Sequence, residues 1–290
     1  MAEQTGTVRR AAVLGDPVEH SLSPVLHSAG YEALGLEGWS YGRIQCPAGE
    51  LERIVSGAGP EYRGFSVTMP GKPEALAYAD RITDRALKVD SANTLLREDS
   101  PGCGSANWVA DCTDIDGAAA AVALHGALPG GWKAVLFGAG GTSRPFIAAL
   151  AEAGAAEIVI ATRRPTAGPA LACAERFGVP ARDVRLDSPE LTALVEGAAL
   201  VVNTVPAPGA EALTPLVGGA ARLVDALYDP WPTPLARAVL ESGGTVVGGD
   251  EMLLGQALGQ FEQFTGHAAP REAMRAALND ALARRSARGR

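Results

Sequence analysis

Residues 135–144, Val-Leu-Phe-Gly-Ala-Gly-Gly-Thr-Ser-Arg, carry the plainest chemistry in this sequence. An apolar strand runs into a glycine-rich turn and then into a helix. Gly138 permits the tight turn, and Gly140 lets the backbone approach a pyrophosphate with no side chain in the way. Ala139, Gly141, Thr142 and Ser143 complete the turn, and the helix beginning near Ser143 aims its free N–H groups at the phosphates. The pattern is G-x-G-G rather than a full G-x-G-x-x-G, because Pro145 and Phe146 follow Arg144. A plain strand–helix turn can use the same glycines. Here a strand and a helix flank them and a second βα unit follows, which favours a dinucleotide. The next strand, Glu157–Ala161, ends in Thr162-Arg163-Arg164. NAD sites usually place an acid there for the ribose 2′-OH. Two guanidiniums suit a 2′-phosphate instead, which points to NADP.

A second set of polar residues lies at the ends of expected strands, where open α/β sheets bind their ligands. Ser21 and Ser23 follow the first strand. Thr68 and Lys72 follow the strand Gly64–Thr68. Asn93 and Thr94 sit together, and Thr113 and Asp114 end a later strand.

These positions require a regular alternation of strands and helices. In the N-terminal half, Ala11–Leu14, Trp39–Cys46, Gly64–Thr68, Ser91–Arg97 and Asn107–Cys112 read as strands. Helices are expected at Pro24–Leu34, Glu50–Ser56 and Pro73–Arg81, with Ser23 as N-cap of the first. Glu98–Ala106 reads as a hairpin loop. After a helix at Ile115–Leu124 a second series follows, with strands at Ala134–Phe137, Glu157–Ala161, Val184–Leu186, Leu200–Asn203, Leu223–Ala226 and Thr245–Val247. Two helical segments, Glu251–Phe264 and Arg271–Arg284, close the chain. The expected fold is α/β with two domains: an N-terminal α/β substrate domain with a mostly parallel sheet, and a Rossmann-type dinucleotide domain. The linker is expected near Asp114–Gly117.

The chain has 290 residues, enough for one large or two modest domains. It is 47% hydrophobic and 20% charged, an ordinary globular balance. A net charge of −8 is a poor match to a nucleic-acid backbone, so no nucleic-acid partner is expected. The basic tail, Arg284, Arg285, Arg288 and Arg290, reads as a solvated helix end. Cys46, Cys103, Cys112 and Cys173 form no C-x-x-C pair and the four His are scattered, so no metal site is expected. Met1–Arg10 lacks the apolar core of a signal peptide, and no apolar run approaches the roughly 20 residues of a membrane span. A cytoplasmic protein, monomeric or homodimeric and without a membrane partner, is expected.

In order along the chain stand His20-Ser21-Leu22-Ser23-Pro24, Val67-Thr68-Met69-Pro70-Gly71-Lys72, Asn93-Thr94-Leu95 and Thr113-Asp114-Ile115-Asp116-Gly117. Gly138-Ala139-Gly140-Gly141, Asn203-Thr204, Tyr228-Asp229-Pro230 and Gly249 to Gly266 follow. This succession resembles the shikimate dehydrogenase family, which interconverts 3-dehydroshikimate and shikimate with NADP in aromatic amino acid biosynthesis. The resemblance implies that the hydroxyls of Ser21 and Ser23 hold the substrate carboxylate. It implies that Thr68, Asn93 and Gln256 bond its ring hydroxyls, with Tyr228 beside them, and that Lys72 and Asp114 form the catalytic pair. Asn203, Thr204 and Gly249 join the glycine loop and Thr162, Arg163 and Arg164 on the cofactor. It also implies that residues 1–114 plus 249–290 form the substrate domain and 115–248 the NADP domain, because Gln256 lies after the Rossmann series. Elementary chemistry agrees. Hydride addition to a ketone builds charge on oxygen, so a proton donor such as an ammonium must lie in reach.

The sequence departs from the family at two places. The family's Asn-Thr-Asp reads Cys112-Thr113-Asp114, and its Asn-Arg-Thr patch reads Thr162-Arg163-Arg164. Sister activities on the same scaffold are an NAD-dependent quinate/shikimate dehydrogenase and an aminoshikimate dehydrogenase. A non-catalytic dinucleotide-binding paralogue is a third reading, against which Lys72 and Asp114 both stand. His20 and His27 read as structural.

Overall fold

Ala11, Ala12, Val13 and Leu14 are buried without alternation, as expected of a strand covered on both faces. A computed structural model describes residues 8–98, 107–164 and 167–288. In it the chain forms two compact units, Met1–Thr113 with Gln256–Arg290, and Asp114–Gly255. The boundaries fall at 113/114 and 255/256, where the sequence placed them at 114/115 and 248/249. The second boundary lies inside a helix, which no composition shift marks.

The first unit is built on strands β1 (Arg9–Gly15), β2 (Trp39–Gln45), β3 (Tyr62–Val67), β4 (Arg81–Ile82), β5 (Thr94–Glu98) and β6 (Asn107–Asp111). They form one sheet in the order β2-β1-β3-β5-β6-β4. β1 pairs in parallel with β2 and β3, and β4 with β6, while β5 runs antiparallel to both its neighbours. Its helices are α1 (Ser23–Ala33), α2 (Leu51–Ser56), α3 (Lys72–Tyr78) and α4 (Asp84–Val89), joined by the chain's return. That return is α12 (Gly249–Thr265), which belongs to this unit from Gln256 onward, and α13 (Arg271–Arg288). Gly30 of α1 leaves room for the Phe261 ring, since a Cβ there would lie 2.6 Å from it, and Gly64 of β3 does the same for Phe264.

The second unit is a fully parallel sheet in the order β12-β11-β10-β7-β8-β9. Its strands are β7 (Lys133–Phe137), β8 (Glu157–Thr162), β9 (Ala181–Arg185), β10 (Leu200–Asn203), β11 (Arg222–Asp225) and β12 (Thr245–Gly248). Its helices are α5 (Asp114–Ala123), α6 (Ser143–Glu152), α7 (Gly168–Arg176), α8 (Leu191–Glu196), α9 (Ala207–Ala210), α10 (Thr214–Val217) and α11 (Pro234–Glu241). Sequence continuation outward from β7 in both directions is the doubly wound arrangement, with its crevice beside β7. The first turns of α12 pack on α5, where a Cβ on Gly117 would meet the Met252 carbonyl at 2.3 Å.

Four sequence expectations need correction. Ser23 is not the cap of α1: Leu22 holds that position, Ser23 is buried in the first turn, and the Ser21 hydroxyl accepts the Ser23 N–H at 3.3 Å. The segment Ser91–Asn93 precedes β5 rather than opening it. The helix expected at Pro73–Arg81 stops at Tyr78, and β4 and α4 follow, the latter capped by Thr83, whose hydroxyl accepts from the Ala86 N–H. β9 was placed late because its residues are mostly exposed and show no clean alternation. Residues 99–106 of the expected hairpin loop lie outside the described residues, although β5 and β6 pair from Glu98 and Asn107 inward.

His27 of α1 is fully buried, stacks on Tyr41 with ring centres 4.1 Å apart, and neither ring nitrogen has a hydrogen-bond partner. Burial holds its pKa down to about 3, so the folded protein keeps it neutral. The unfolded chain takes up the proton below about pH 6.5, so acid favours unfolding from there down to about pH 3. Between pH 7.5 and pH 5 this group alone should remove about 2 kcal/mol of stability. In urea unfolding at those two pH values, His27→Leu should lose about that much less than the unchanged protein. Equal losses would show that the His27 proton does not matter.

Candidate active site

In the first unit, side chains that can hydrogen-bond converge where β3, β5 and β6 meet α12. Asn93, Thr94, Thr113, Gln256 and Gln260 are all buried. The Asn93 amide donates to Thr113 Oγ1 at 2.9 Å and to Gln256 Oε1 at 3.4 Å. Its oxygen accepts from the Thr113 N–H at 2.8 Å and from the Thr94 hydroxyl at 2.9 Å. The backbone of Asn93 bridges too: its N–H reaches the Asp111 carbonyl and its carbonyl accepts from Val67. On the α1 side, the Ser23 side chain hydrogen-bonds Tyr41, which hydrogen-bonds Ser66. Burial raises the Tyr41 phenol well above its ordinary range, so it stays protonated.

Thr68 and Lys72 stand on either side of the turn after β3. Thr68 N–H bonds the Leu14 carbonyl, and Gly15 exists for this contact, because a Cβ there would meet the Thr68 methyl at 2.3 Å. Lys72 opens α3 and is half-buried. Arg43 donates to the Ser21 carbonyl at 3.2 and 2.7 Å, tying the serine loop to β2. Behind the cluster, Asp111 takes hydrogen bonds from Arg85 and Thr83, and from Gln263 of α12 at 2.6 Å. Burial would raise this carboxyl, but bonds from Arg85 and Thr83, the Arg85 charge and the Gln263 bond outweigh it and hold it at about 2. The cluster is therefore backed by a fixed anion.

In the second unit the glycine loop follows β7. Gly138 has φ +99°, a conformation that favours glycine, and a Cβ there would strike Thr204 at 2.6 Å. An added Cβ on Gly140 or Gly141 would meet nothing within 4 Å. The chain's own packing thus accounts for Gly138, while the two later glycines border open space that a phosphate can enter. Thr142 caps α6 without a side-chain bond, which leaves first-turn N–H groups for a ligand. The Ser143 hydroxyl is turned inward to the Gly140 carbonyl at 2.6 Å. At the end of β8, Thr162 bonds the Arg164 carbonyl at 2.6 Å and fixes the turn, and Arg163 and Arg164 are exposed there. This arrangement fits a dinucleotide with a 2′-phosphate.

A family model described as the shikimate dehydrogenase substrate binding domain matches residues 13–95, and one described as the shikimate 5′-dehydrogenase C-terminal domain matches residues 249–278. A shikimate dehydrogenase (NADP(+)) of Ruegeria sp. is 36% identical, covering 94% of this chain and 97% of its own. The chain belongs to the shikimate dehydrogenase family. Among solved structures, shikimate dehydrogenase of Mycobacterium tuberculosis superposes with a TM-score of 0.86 at 46% identity, covering 94% of this chain and 99% of that one. Shikimate 5-dehydrogenase of Thermus thermophilus, solved in complex with NADP(H) and shikimate, gives 0.79 at 32% identity, covering 95% and 100%.

Among the residues that the shikimate dehydrogenase resemblance singles out, the structure brings Asn93 and Gln256 together directly. Asp114 is buried and begins α5, immediately after Thr113 of the cluster. Asn203 and Thr204 turn their side chains inward. Asn203 bonds Asp225 at 2.8 Å and the backbone of Val205, and Thr204 donates to the Phe137 carbonyl at 2.8 Å. They hold the shape of the loop at the strand ends. Gly249 is required by the Ala226 carbonyl, which a Cβ would approach to 2.1 Å. Tyr228 is half-buried beyond β11. Sequence reasoning missed Tyr41, Ser66, Gln260 and Asp225. Only Gln260 carried a signal, four residues after Gln256 on one helical face. Among the described residues no group of His, Cys, Asp or Glu is placed to hold a metal ion, and no helix is long and apolar enough to cross a membrane.

Arg163→Ala should weaken NADP binding by about 1.5–3 kcal/mol and leave NAD binding nearly unchanged, because only NADP carries the 2′-phosphate. Titration of both dinucleotides against the variant, and against Arg163→Ala with Arg164→Ala, checks this. Equal losses for the two would remove Arg163 from that role.

Proposed function

We propose that this chain reduces 3-dehydroshikimate to shikimate with NADPH, reversibly, as a step of aromatic amino acid biosynthesis. The observation that carries the reading is the buried cluster of Asn93, Thr94, Thr113 and Gln256. An amide and hydroxyl surface of this kind suits a ring bearing several hydroxyls, which need donors and acceptors at fixed places. In this reading the first unit takes the substrate and the second the dinucleotide. The three described cysteines, Cys46, Cys112 and Cys173, are buried thiols in no disulfide, which suits a reducing cytoplasm.

Ser21 and Ser23 hold the substrate carboxylate through their hydroxyls. Thr68, Asn93 and Gln256 bond the ring hydroxyls, with Tyr228 beside them. Gly138, Ala139, Gly140, Gly141, Thr142 and Ser143 would hold the pyrophosphate of NADPH, with Thr162, Arg163 and Arg164 at the 2′-phosphate and Asn203, Thr204 and Gly249 shaping the remaining wall, and the dinucleotide would supply the hydride. Lys72 Nζ gives its proton to the carbonyl oxygen as charge grows there. Asp114 orients the ammonium and accepts a hydrogen bond from a substrate hydroxyl. In the oxidative direction Lys72 takes the proton back.

A spectrophotometric assay with shikimate and then quinate, each with NADP and then NAD, tests the reading. Turnover of shikimate with NADP should dominate, and preference for quinate with NAD would overturn it. Lys72→Met should cut kcat by about 10²–10⁴-fold, the usual worth of a positioned proton donor, with substrate Kd within a few-fold. A sharp rise in Kd with kcat intact would make Lys72 an anchor instead. Asp114→Asn should slow turnover with a clearer loss of binding, and the double variant should fall well short of the sum.

A further inference from the structure

We propose that Gln260 is a positioning residue that acts with the Thr113 N–H to fix which way the Asn93 side chain faces. The inference rests on the reading of Asn93 and Gln256 as substrate contacts. Gln260 lies one turn beyond Gln256 on α12 and is fully buried. Its Nε2 lies 3.0 Å from the Asn93 backbone carbonyl, an oxygen that can only accept, so the nitrogen end of the amide must face it. The same nitrogen lies 3.0 Å from Thr94 Oγ1. Both amide hydrogens are thereby spent, and the Thr94 oxygen is an acceptor.

The consequences run along the cluster. The Thr94 hydrogen goes to Asn93 Oδ1, 2.9 Å away. That oxygen also takes the Thr113 N–H at 2.8 Å. An oxygen fixed by two donors turns Asn93 Nδ2 the other way, toward Thr113 Oγ1 and Gln256 Oε1. The Gln256 amide is oriented in turn, oxygen toward Asn93. On the opposite side Gln260 Oε1 accepts from the Ser66 hydroxyl at 2.7 Å. With the Ser66 hydrogen spent, the Tyr41 phenol must be the donor of their mutual bond. Gln260, satisfied at both ends, therefore adds the Thr94 hydrogen to the hold that the Thr113 N–H has on Asn93, and through Asn93 it orients Gln256. Without Gln260 the Thr94 hydroxyl can rotate away, Asn93 Oδ1 keeps only the Thr113 N–H of these two donors, and an Asn93 side chain so loosened turns over in part of the protein and offers a substrate hydroxyl the wrong pattern.

The test uses Gln260→Met, which keeps the shape without polar atoms, and Gln260→Glu. The protonated acid can donate to the Asn93 carbonyl and still accept from Ser66, whereas the carboxylate has no hydrogen to give. With shikimate and NADP, Gln260→Met should raise the shikimate KM about tenfold, with kcat and the NADP KM within about twofold. Gln260→Glu should show a similar defect at neutral pH that recovers as pH falls, a dependence absent from Gln260→Met. A shikimate KM unmoved in both variants, a loss confined to kcat, or parallel pH profiles of the two would overturn the proposal. If Gln260→Met does not fold, the pH profile of Gln260→Glu against the unchanged protein decides alone, recovery in acid supporting the proposal and a parallel profile overturning it. Asn93→Ala separates the two levels. If it leaves the shikimate KM unchanged, the reading of Asn93 as a substrate contact has failed. If it raises KM while the Gln260 variants do not, only the positioning role has failed.

Discussion

The substrate unit depends on satisfying one buried amide. Asn93 sits where β3, β5 and β6 converge, and it is buried, so little solvent is at hand to replace a missing partner. An unmade hydrogen bond at such a place costs about 1–3 kcal/mol, more than a made one contributes. Each neighbour is therefore placed to close a bond: Thr94, Thr113, Val67, Asp111 and Gln260 all do so. A polar core of this kind tolerates few arrangements, and that rigidity suits recognition of a small polyhydroxylated ring. Such a ligand offers little apolar surface, so its binding must come from hydrogen bonds that are already aimed.

The same demand explains why the chain must come back. The strand ends give Asn93 O one donor, the Val67 N–H, and leave room on that oxygen and on the Thr94 hydroxyl for a second. α12 supplies it from Gln260, with Gln256 one turn before, and Gln263 reaches Asp111 beyond. The apolar face of the same helix places Phe261 against Gly30 and Phe264 against Gly64. Packing and polar satisfaction thus act on one helix at once. The glycines at 30 and 64 are the volume that the two phenylalanines need, and a larger residue at either would push α12 and its glutamines away from the strand ends.

The dinucleotide unit answers to a different constraint, which is backbone rather than side chain. Gly138, in a left-handed conformation, turns the chain at the end of β7, and Thr204 closes against it by bonding the Phe137 carbonyl. Asn203 and Asp225 pair beneath, and Thr233 donates to the same carboxylate. The polar residues at these strand ends are spent on holding the loop shape. What remains for a ligand is main-chain N–H, open space at Gly140 and Gly141, and the exposed arginines after β8. That combination suits phosphate, whose recognition needs little from side chains except charge.

Legibility followed from this contrast. The glycine loop, the arginine pair and most parallel strands are local patterns, and their spacing in sequence is their spacing in the fold. α4 and β4 escaped because the cap at Thr83 is short and the strand shorter still. Ser23 was misplaced by one position because a serine before a proline satisfies two templates, cap and first turn, and the bond from Ser23 N–H to Ser21 decides between them only in three dimensions. The boundary inside α12 was illegible because a continuous helix carries no break in pattern where its packing partner changes. Tyr41 and Ser66 were illegible for a deeper reason, and of Gln260 only its place one turn after Gln256 could be read. They lie 25 and 194 residues apart along the chain, and nothing in their types distinguishes a solvated polar side chain from a buried one. Their role is set by who is left without a partner once the sheet has formed, and that is a property of the fold, not of any segment of it.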